Sequence, residues 1–357
     1  MMERTMYTGL GEERLTELLE KIRGVRIGLL GDLCVDLYWL ADMKQSELSR
    51  ETPHFPLPVV SERYSLGAGG NAAANLAALR PAALEICGVV GDDWRGGLVL
   101  RCLGDLALSD SGILRRSGAM TNAYCKPLRR GISDTVYEDP RLDFSGAPLT
   151  EEEEDGLLKR LRAIRGKIDV LCVSDQFRDG CVTERIREAV CGMGAEGLPV
   201  VVDSRDRIGL WHDVILKPNE VECARAAASI MGVSENRYTG RGIEGYAEAA
   251  EILRDRLRCR VSVTLGSLGN MQVWGDRTVY IPAHTVRAPI DIVGAGDTFL
   301  SGYTAALAAG AAPEEAGQLG ALASEVTIRK LGQTGTATPE EILRQYRAAR
   351  ETDDEEG

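Results

Sequence analysis

The sequence predicts an α/β fold: a doubly wound, mostly parallel sheet with helices on both faces, plus a small β-sheet lid. Short apolar runs typical of buried parallel strands alternate with stretches of helical spacing along most of the 357 residues. Two polar, proline-containing excursions interrupt this alternation, at about 38–66 and 112–146. We therefore expect a single domain over 1–357, with the two excursions pairing to form the lid.

The first half of the chain predicts elements on both sides of the first excursion. A helical stripe at 15–22 precedes a continuous apolar run at 25–30, which ends in Gly31-Asp32 as a buried strand would. After the excursion, an alanine-rich helix at 69–79 is followed by a strand at 84–90 and a helix at 94–103.

The second half continues the alternation. The predicted helices are 151–164, 183–191, 220–228 and 243–257, with three more from 294 to the end. The predicted strands are 170–173, 200–203, 214–216 and 260–265, followed by a hairpin near 271–281. This order is typical of a doubly wound sheet, in which ligands bind beyond the carboxyl ends of the strands.

Composition excludes several classes of function. A formal net charge of −12 argues against nucleic acid and anionic membranes as partners. No apolar run approaches the roughly 20 residues of a membrane span, and the first residues lack an apolar signal core. Nine cysteines without a Cys-x-x-Cys pair predict reduced thiols and a cytoplasmic location, and three scattered histidines argue against a histidine-rich metal centre.

The most informative segment is the turn Gly294-Ala295-Gly296-Asp297, which opens an apolar helix. Such a turn presents unpaired backbone N–H groups at the positive end of a helix dipole, so it predicts an anion site. A carboxylate at its tip, Asp297, is placed to take a proton from a hydroxyl that meets the bound anion, and the dipole should keep it ionised at neutral pH. An ordinary N-terminal helix residue in a common glycine-rich loop is the alternative.

A second glycine-rich segment, Gly67-Ala68-Gly69-Gly70-Asn71, precedes the helix at 69–79. It fits either a dinucleotide fingerprint, a turn that lets a polyol approach the backbone beside Asn71, or a purely structural turn. The fingerprint requires a preceding central strand and a later acid at a strand end, and both are poorly met here. Asp36, just after the first strand, is a further candidate for binding sugar hydroxyls.

Two later segments are suited to a metal nucleotide. Asn219 and Glu222 lie three apart on one helical face, which suits oxygen ligands of hydrated Mg²⁺, although this segment alone favours a capping box. Thr264, Gly266 and Gly269 end a strand with a hydroxyl and glycines where a nucleotide phosphate can lie.

Taken together and in this order, these segments resemble the ribokinase-like (PfkB) carbohydrate kinase family over nearly the whole chain. The resemblance implies an ATP- and Mg²⁺-dependent kinase with Asp297 as base and Gly294, Ala295 and Gly296 in the anion hole. It implies sugar contacts at Asp36, Gly67, Gly69, Gly70 and Asn71. Asn219 and Glu222 would then lie by Mg²⁺, and Asn219, Thr264, Gly266 and Gly269 by the nucleotide. A monovalent cation, K⁺ in particular, would be bound by Asp291 and the carbonyl of Val293.

Within the family the chain is most similar to the heptose-7-phosphate kinases of ADP-heptose synthesis, through segments such as Arg141-Leu-Asp-Phe144. The sequence Gln176-Phe177-Arg178-Asp179 departs from the Tyr-x-Lys expected there. We predict a sugar or sugar-phosphate acceptor, with a heptose phosphate favoured over ribose, fructose or a keto-deoxy sugar acid. A catalytically silent sugar-binding protein on this fold is the alternative of another class.

The second excursion is locally basic in an acidic chain. Its cations are Lys126, Arg129, Arg130 and Arg141. Such a cluster suits the phosphate of a sugar phosphate, with Arg141 as a substrate contact, but equally suits a solvated strand. The resemblance also implies a homodimer formed through the lid, because exposed lid edges pair in such kinases.

Overall fold

The structure, a computed structural model, describes residues 3–286 and 288–356, with side chains for 4–286 and 288–351. Its strands are β1 (Glu3–Met6), β2 (Arg26–Gly31), β3 (Leu33–Asp42), β4 (Val59–Ala68), β5 (Ala83–Gly91), β6 (Ile113–Arg116), β7 (Asn122–Arg130), β8 (Val136–Glu138), β9 (Leu142–Phe144), β10 (Val170–Asp175), β11 (Val200–Ser204), β12 (Ile215–Leu216), β13 (Arg260–Thr264), β14 (Gly269–Trp274) and β15 (Arg277–Pro282).

Its helices are α1 (Glu12–Ile22), α2 (Gly69–Ala78), α3 (Trp94–Asp105), α4 (Glu151–Arg165), α5 (Glu184–Ala195), α6 (Glu220–Met231), α7 (Asn236–Thr239), α8 (Gly242–Leu257), α9 (Ala295–Ala308), α10 (Pro313–Thr327) and α11 (Pro339–Glu356).

Ten strands form the main sheet, in the order β1-β15-β14-β13-β12-β11-β10-β2-β5-β6. Strand β14 runs antiparallel to its neighbours β13 and β15, and the other pairings are parallel. One apolar core lies under α1, α2, α3, α9, α10 and α11, and a second lies under α4, α5, α6 and α8 on the opposite face. The predicted doubly wound, mostly parallel sheet with helices on both faces is confirmed.

The lid is a separate five-stranded sheet in the order β4-β3-β7-β8, with β9 also paired to β7. Its central strands β3 and β7 run parallel over nine residue pairs, from Cys34↔Asn122 to Asp42↔Arg130. The two excursions therefore do pair with each other. Residues 113–116, which lie inside the second predicted excursion, belong instead to the main sheet, where β6 pairs with β5.

The dinucleotide alternative for Gly67–Asn71 is wrong on topology. The strand before these glycines is β4, an edge strand of the lid, whereas a dinucleotide fingerprint follows a central strand of the main sheet. The polar sequence of β4 and the bend before it fit this edge position, since the first five residues of β4 are exposed.

The topology brings the ends of five parallel strands to one edge. Strands β2, β10, β11, β12 and β13 end there, and the residues that follow β2, β10, β11 and β12 are Asp32, Gln176, Arg205 and Lys217. This edge faces the lid and the start of α9, so polar side chains from distant parts of the chain converge beside Asp297.

Candidate active site

A cleft of about 170 Å³ lies between the carboxyl edge of the main sheet, the lid and the start of α9. Four of the predicted substrate contacts line it, namely Asp36, Gly67, Asn71 and Arg141, together with Val293, Gly294 and Asp297. A larger cavity, of about 540 Å³, lies near Tyr7 and Tyr346 and contains none of the predicted site residues. Because the converging polar groups are in the smaller cleft, we take that cleft as the active site.

The turn before α9 has the geometry that an anion site requires. Gly294 has φ of +82°, which glycine adopts without strain, and a methyl group there would lie 2.8 Å from Nδ2 of Asn71. Among the described residues, no acceptor pairs with the backbone N–H of Gly296 or Asp297. The N–H of Ala295 differs from the prediction, because it donates to the carbonyl of Ile292 at 3.2 Å. The anion hole therefore has fewer available donors than the sequence suggested.

Asp297 is half-buried in the cleft, and Nδ2 of Asn71 donates to its Oδ2 at 2.7 Å. Burial raises the pKa of Asp297 to about 7, aided by Asp203 and opposed by Asn71, Lys217 and Arg205. Desolvation of Asp297 thus opposes the expected effect of the helix dipole, which favours the ionised form.

Lys217 lies directly behind the turn, although the sequence did not predict it as a site residue. Its side chain is 4% exposed, and its Nζ lies 3.1 Å from Oδ2 of Asp203. The same Nζ would be 3.9 Å from a Cβ placed on Gly296. A buried ammonium thus supports the anion turn from below. A lysine directly after the apolar strand β12 is the sequence signal that could have predicted this site residue.

The glycines of the first turn have different tasks. A methyl group on Gly67 would lie 2.5 Å from Oδ1 of Asp36, so glycine there keeps the carboxylate in the cleft. Gly69 and Gly70 do not line the cleft: a methyl group on Gly69 would lie 2.8 Å from Cα of Gly31, and one on Gly70 would meet Leu66 at 3.1 Å. Both glycines allow close packing of α2 on β2 and β4, and their sugar contacts stay a prediction.

Asp36 is buried in the cleft and has a carboxylate oxygen available to a ligand. It is 5% exposed, and its Oδ1 has no partner among the described residues, while Nζ of Lys126 lies 3.2 Å from its Oδ2. Burial raises the pKa of Asp36, and Lys126 opposes that shift. A buried carboxylate oxygen without a donor is costly, and a ligand hydroxyl would satisfy it.

Asn219 and Glu222 form the capping box that the sequence left as an alternative. Oδ1 of Asn219 accepts from the N–H of Glu222 at 2.8 Å, and Oε2 of Glu222 accepts from the N–H of Asn219 at 2.9 Å. Burial and the nearby Asp203 raise the pKa of Glu222. Two neighbouring carboxylates that repel each other suit a hydrated divalent cation, so the donor set is compatible with Mg²⁺.

The predicted nucleotide residues adjoin this cap. Thr264 is paired with Asn219 through an isolated parallel bridge. Gly266 has φ of +56° and open space beyond it, whereas a methyl group on Gly269, with φ of +109°, would lie 2.1 Å from the carbonyl oxygen of Ile281. Gly266 therefore leaves room for a ligand, and Gly269 is required by the close approach of β14 and β15.

Asp291 fastens the loop before α9. Its Oδ1 accepts from the N–H of Val293 at 3.1 Å, and its Oδ2 accepts from the N–H of Gly332 at 2.9 Å. Val293 lines the cleft. The carboxylate thus has a structural task in addition to the predicted cation contact.

The basic cluster of the lid is divided by the fold. Arg129 and Arg130 pair with Asp139 and Asp42, away from the cleft. Arg141 lines the cleft, where it pairs with Asp143 at 2.6 Å and covers the ring of Tyr124 at 4.1 Å. Lys126 also lines the cleft. Of the four cations predicted to bind the acceptor phosphate, the two that line the cleft are therefore Lys126 and Arg141.

Two further groups line the cleft from the main sheet, and the sequence did not identify them as site residues. Arg205 follows β11, and among the described residues its guanidinium has no hydrogen bond or ion pair. Gln176 follows β10 and presents an amide that likewise has no partner in the described part of the chain. Polar residues immediately after buried strands were the available signal.

The fold and the cleft together suit phosphoryl transfer to an alcohol. Residues 205–341 match the family described as pfkB family carbohydrate kinase. This match assigns that segment, less than half of the chain, to the family.

Individual relatives agree with that assignment. The chain is 30% identical over 344 residues to a bifunctional protein HldE of Caulobacter sp. (strain K31), a match that covers 93% of this chain and 65% of the relative. A bifunctional protein HldE of Citrifermentans bemidjiense is also 30% identical, over 91% of this chain and 64% of the relative. The chain thus spans less than two thirds of the length of these curated relatives.

Among solved structures, phosphofructokinase-2 from Escherichia coli in complex with fructose-6-phosphate superposes with a TM-score of 0.68 at 18% identity, covering 91% of this chain and 99% of that one. Ribokinase from Arabidopsis thaliana complexed with ribose and ATP gives 0.66 at 19% identity, covering 90% and 98%. At these identities the likeness establishes the ribokinase-like fold. No helix in the described ranges is both long and apolar enough to cross a membrane.

Proposed function

We propose that this carbohydrate kinase transfers the terminal phosphoryl group of ATP to a hydroxyl of a sugar phosphate, with a heptose phosphate as the favoured acceptor. The observation that most supports the proposal is the position of Asp297. Its carboxylate stands in the cleft at the start of α9, beside unpaired backbone N–H groups and opposite the lid.

Several residues in and behind the cleft would have a role in this reaction. The N–H groups of Gly296 and Asp297 would hold oxygens of the terminal phosphate, with the ammonium of Lys217 behind them. Asp297, oriented by Asn71, would accept the proton of the attacking hydroxyl. Asp36 would fix a second sugar hydroxyl through its unpartnered oxygen. Phosphoryl transfer requires mainly such positioning and charge neutralisation.

Glu222, Asn219 and the adjacent Asp203 would hold Mg²⁺ through water molecules. The chemistry that the cation supplies there is neutralisation of charge on the phosphates of ATP. We further propose that Asp291 and the Val293 carbonyl hold K⁺ beside the turn, which predicts faster turnover in potassium than in sodium buffers.

The preference for an anionic acceptor is supported by the charges on the wall of the cleft. Lys126 and Arg141 each pair with a carboxylate there, whereas Arg205 has no ion pair among the described residues. A guanidinium with unused donors beside a sugar site suits a phosphate. The similarity to heptose-7-phosphate kinases and to the bifunctional proteins HldE supports a seven-carbon acceptor.

Turnover across matched sugars tests the proposal. ADP release would be measured with heptose 7-phosphate, fructose 6-phosphate and ribose 5-phosphate, each beside its unphosphorylated counterpart. We expect the highest kcat/KM for the heptose phosphate. Equal or better turnover of the free sugars would exclude the anionic acceptor, and no ADP release above the ATP background with any sugar would favour a silent sugar-binding protein.

We also propose a homodimer through the lid. Strand β4 is an edge of the lid sheet, and Val59 and Val60 on it are 52% and 43% exposed, with Phe55 and Leu57 exposed just before it. Apolar edge strands of this kind pair with other chains. Sedimentation should give a dimer for the wild type and a monomer for Val60→Lys, with Val233→Lys, on an exposed loop remote from the lid, as control.

A further inference from the structure

The loop 176–181 connects the carboxyl end of β10 to the cleft and is held by a buried carboxylate. Asp32 is 1% exposed, and its Oδ2 accepts from the N–H groups of Gln176 and Phe177, both at 2.8 Å. Its Oδ1 accepts from the N–H of Cys181 at 2.6 Å. Three charge-assisted hydrogen bonds from one loop to one side chain fix that loop tightly.

The carboxylate of Asp32 packs closely against the inner side of loop 176–181. A methyl group on Gly180 would lie 2.2 Å from Oδ1 of Asp32, so only glycine fits there. The backbone carbonyl of Asp32 accepts from the N–H of Gly69 at 2.9 Å, at the first turn of α2. Asp32 therefore ties loop 176–181 to the segment that carries Asn71.

A second buried carboxylate holds the same loop from the other side. Asp175 is 2% exposed and pairs with the guanidinium of Arg207. Arg207 in turn donates to the backbone carbonyls of Phe177 and Arg178, each at 2.9 Å. Both edges of the loop are thus fixed by charged groups that do not themselves line the cleft.

The loop presents two side chains toward the ligand side. Gln176 lines the cleft, and among the described residues its amide has no partner. Phe177 contacts Tyr124 of the lid, with ring centroids 5.6 Å apart. A rigid loop that carries an amide available for a ligand beside Asp36 and Arg141 has the character of a specificity element, because a polar group held in place binds only a matching ligand group.

We propose that the side-chain amide of Gln176 selects the acceptor substrate through a hydrogen bond to one of its hydroxyl or phosphate oxygens. Asp32 is the positioning residue that holds Gln176 in the cleft. The inference has an acceptor half, the selection of the acceptor by Gln176, and a clamp half, the fixing of loop 176–181 by Asp32. The acceptor half rests on the proposed kinase function, whereas the clamp half does not. The amide can donate and accept, so it discriminates between acceptors that differ in one oxygen.

Steady-state kinetics tests the acceptor half. Gln176→Ala and Asp32→Asn should each raise the KM of the acceptor about tenfold, the value of one hydrogen bond, with the KM of ATP unchanged. The double variant should be little worse than either single variant, because both remove the same contact. Asp169→Asn is the matched control: Asp169 also accepts a backbone N–H, from Arg26 at 2.8 Å, but lies at the opposite end of β10.

Hydrogen exchange of the ligand-free protein tests the clamp half. Asp32→Asn should speed exchange at Gln176, Phe177 and Cys181 at least tenfold, whereas Asp169→Asn should leave these amides unchanged. Unchanged exchange in Asp32→Asn refutes the clamp. An unchanged acceptor KM in Gln176→Ala refutes the reading role, even if Asp32→Asn does not fold. A wild-type protein that phosphorylates no sugar refutes the proposed function and the acceptor half together, while the exchange result still decides the clamp.

Discussion

Replacement of Asp297 by asparagine should remove activity and stabilise the protein at the same time. The pKa of Asp297 is about 7 in the fold against an ordinary value of 3.8. A shift of about 3 units corresponds to about 4 kcal/mol, which is the upper estimate of what ionisation of this buried group costs the folded state. The neutral amide avoids that cost, and its oxygen can still accept from Asn71.

The sign of the effect depends on pH. Because the folded pKa is raised, the wild type has its full stability from this group below about pH 4 and loses stability as pH rises to about 7, after which the loss is constant. The variant should therefore have the higher free energy of unfolding at pH 8 and nearly the same value as the wild type at pH 4. Urea titrations at both values measure this difference.

Activity provides the second readout. Removal of a general base lowers kcat by about 10²–10⁴, while the affinity for ATP should barely change. In the wild type, kcat/KM should fall about tenfold per pH unit below about pH 7, because only the ionised carboxylate accepts a proton. Asp276→Asn, in the exposed β14–β15 turn, is the control and should change neither property.

Near-normal turnover in Asp297→Asn would refute the assignment of the base. An equal change of stability at pH 4 and pH 8 would refute the argument from burial, since an uncharged cause does not titrate. A wild-type rate that is flat from pH 5.5 to pH 8.5 would contradict both parts of the reasoning.

Three further predictions follow from the cleft. Arg205→Gln should remove the preference for phosphorylated over free sugars, measured as the ratio of their kcat/KM values, and an unchanged ratio would show that the guanidinium does not meet the acceptor phosphate. Ala68 has φ of +48° and ψ of −127°, a conformation that favours glycine, so Ala68→Gly should raise the free energy of unfolding by about 1 kcal/mol in urea titrations; a loss of stability would contradict the strain. Glu222→Gln keeps the cap but loses the charge, so it should raise the Mg²⁺ concentration for half-maximal rate several-fold with little change in melting temperature, and an unchanged requirement would place the metal elsewhere.

Local patterns in the sequence predict most of the secondary structure. The apolar run at 25–30 and the helical spacing at 243–257 correspond to β2 and α8 within a residue or two. Such elements can be predicted because burial of one face imposes a period on the sequence. The edge strand β1 was not predicted, since four polar-rich residues have no such period and their pairing with β15 joins segments that are far apart in the chain and meet only in the fold.

The second excursion, 112–146, also shows what local patterns cannot predict, because its strands join two different sheets. Residues 113–116 and 122–130 have similar strand character, yet β6 joins the main sheet and β7 joins the lid. Strand character is a local property, but the choice of partner strand depends on the whole topology.

The sequence by itself indicated the turn at 294–297, the candidate base and the order of the motifs, because glycines and a carboxylate at the start of a helix form a local pattern that can be recognised without the fold. Only the tertiary structure decided that burial raises the pKa of Asp297, that Gly69 packs against Gly31, and that Arg205 and Gln176 line the same cleft with Lys217 behind the turn. The physical reason is that desolvation, charge neighbours and close backbone approach depend on distances between residues far apart in the chain.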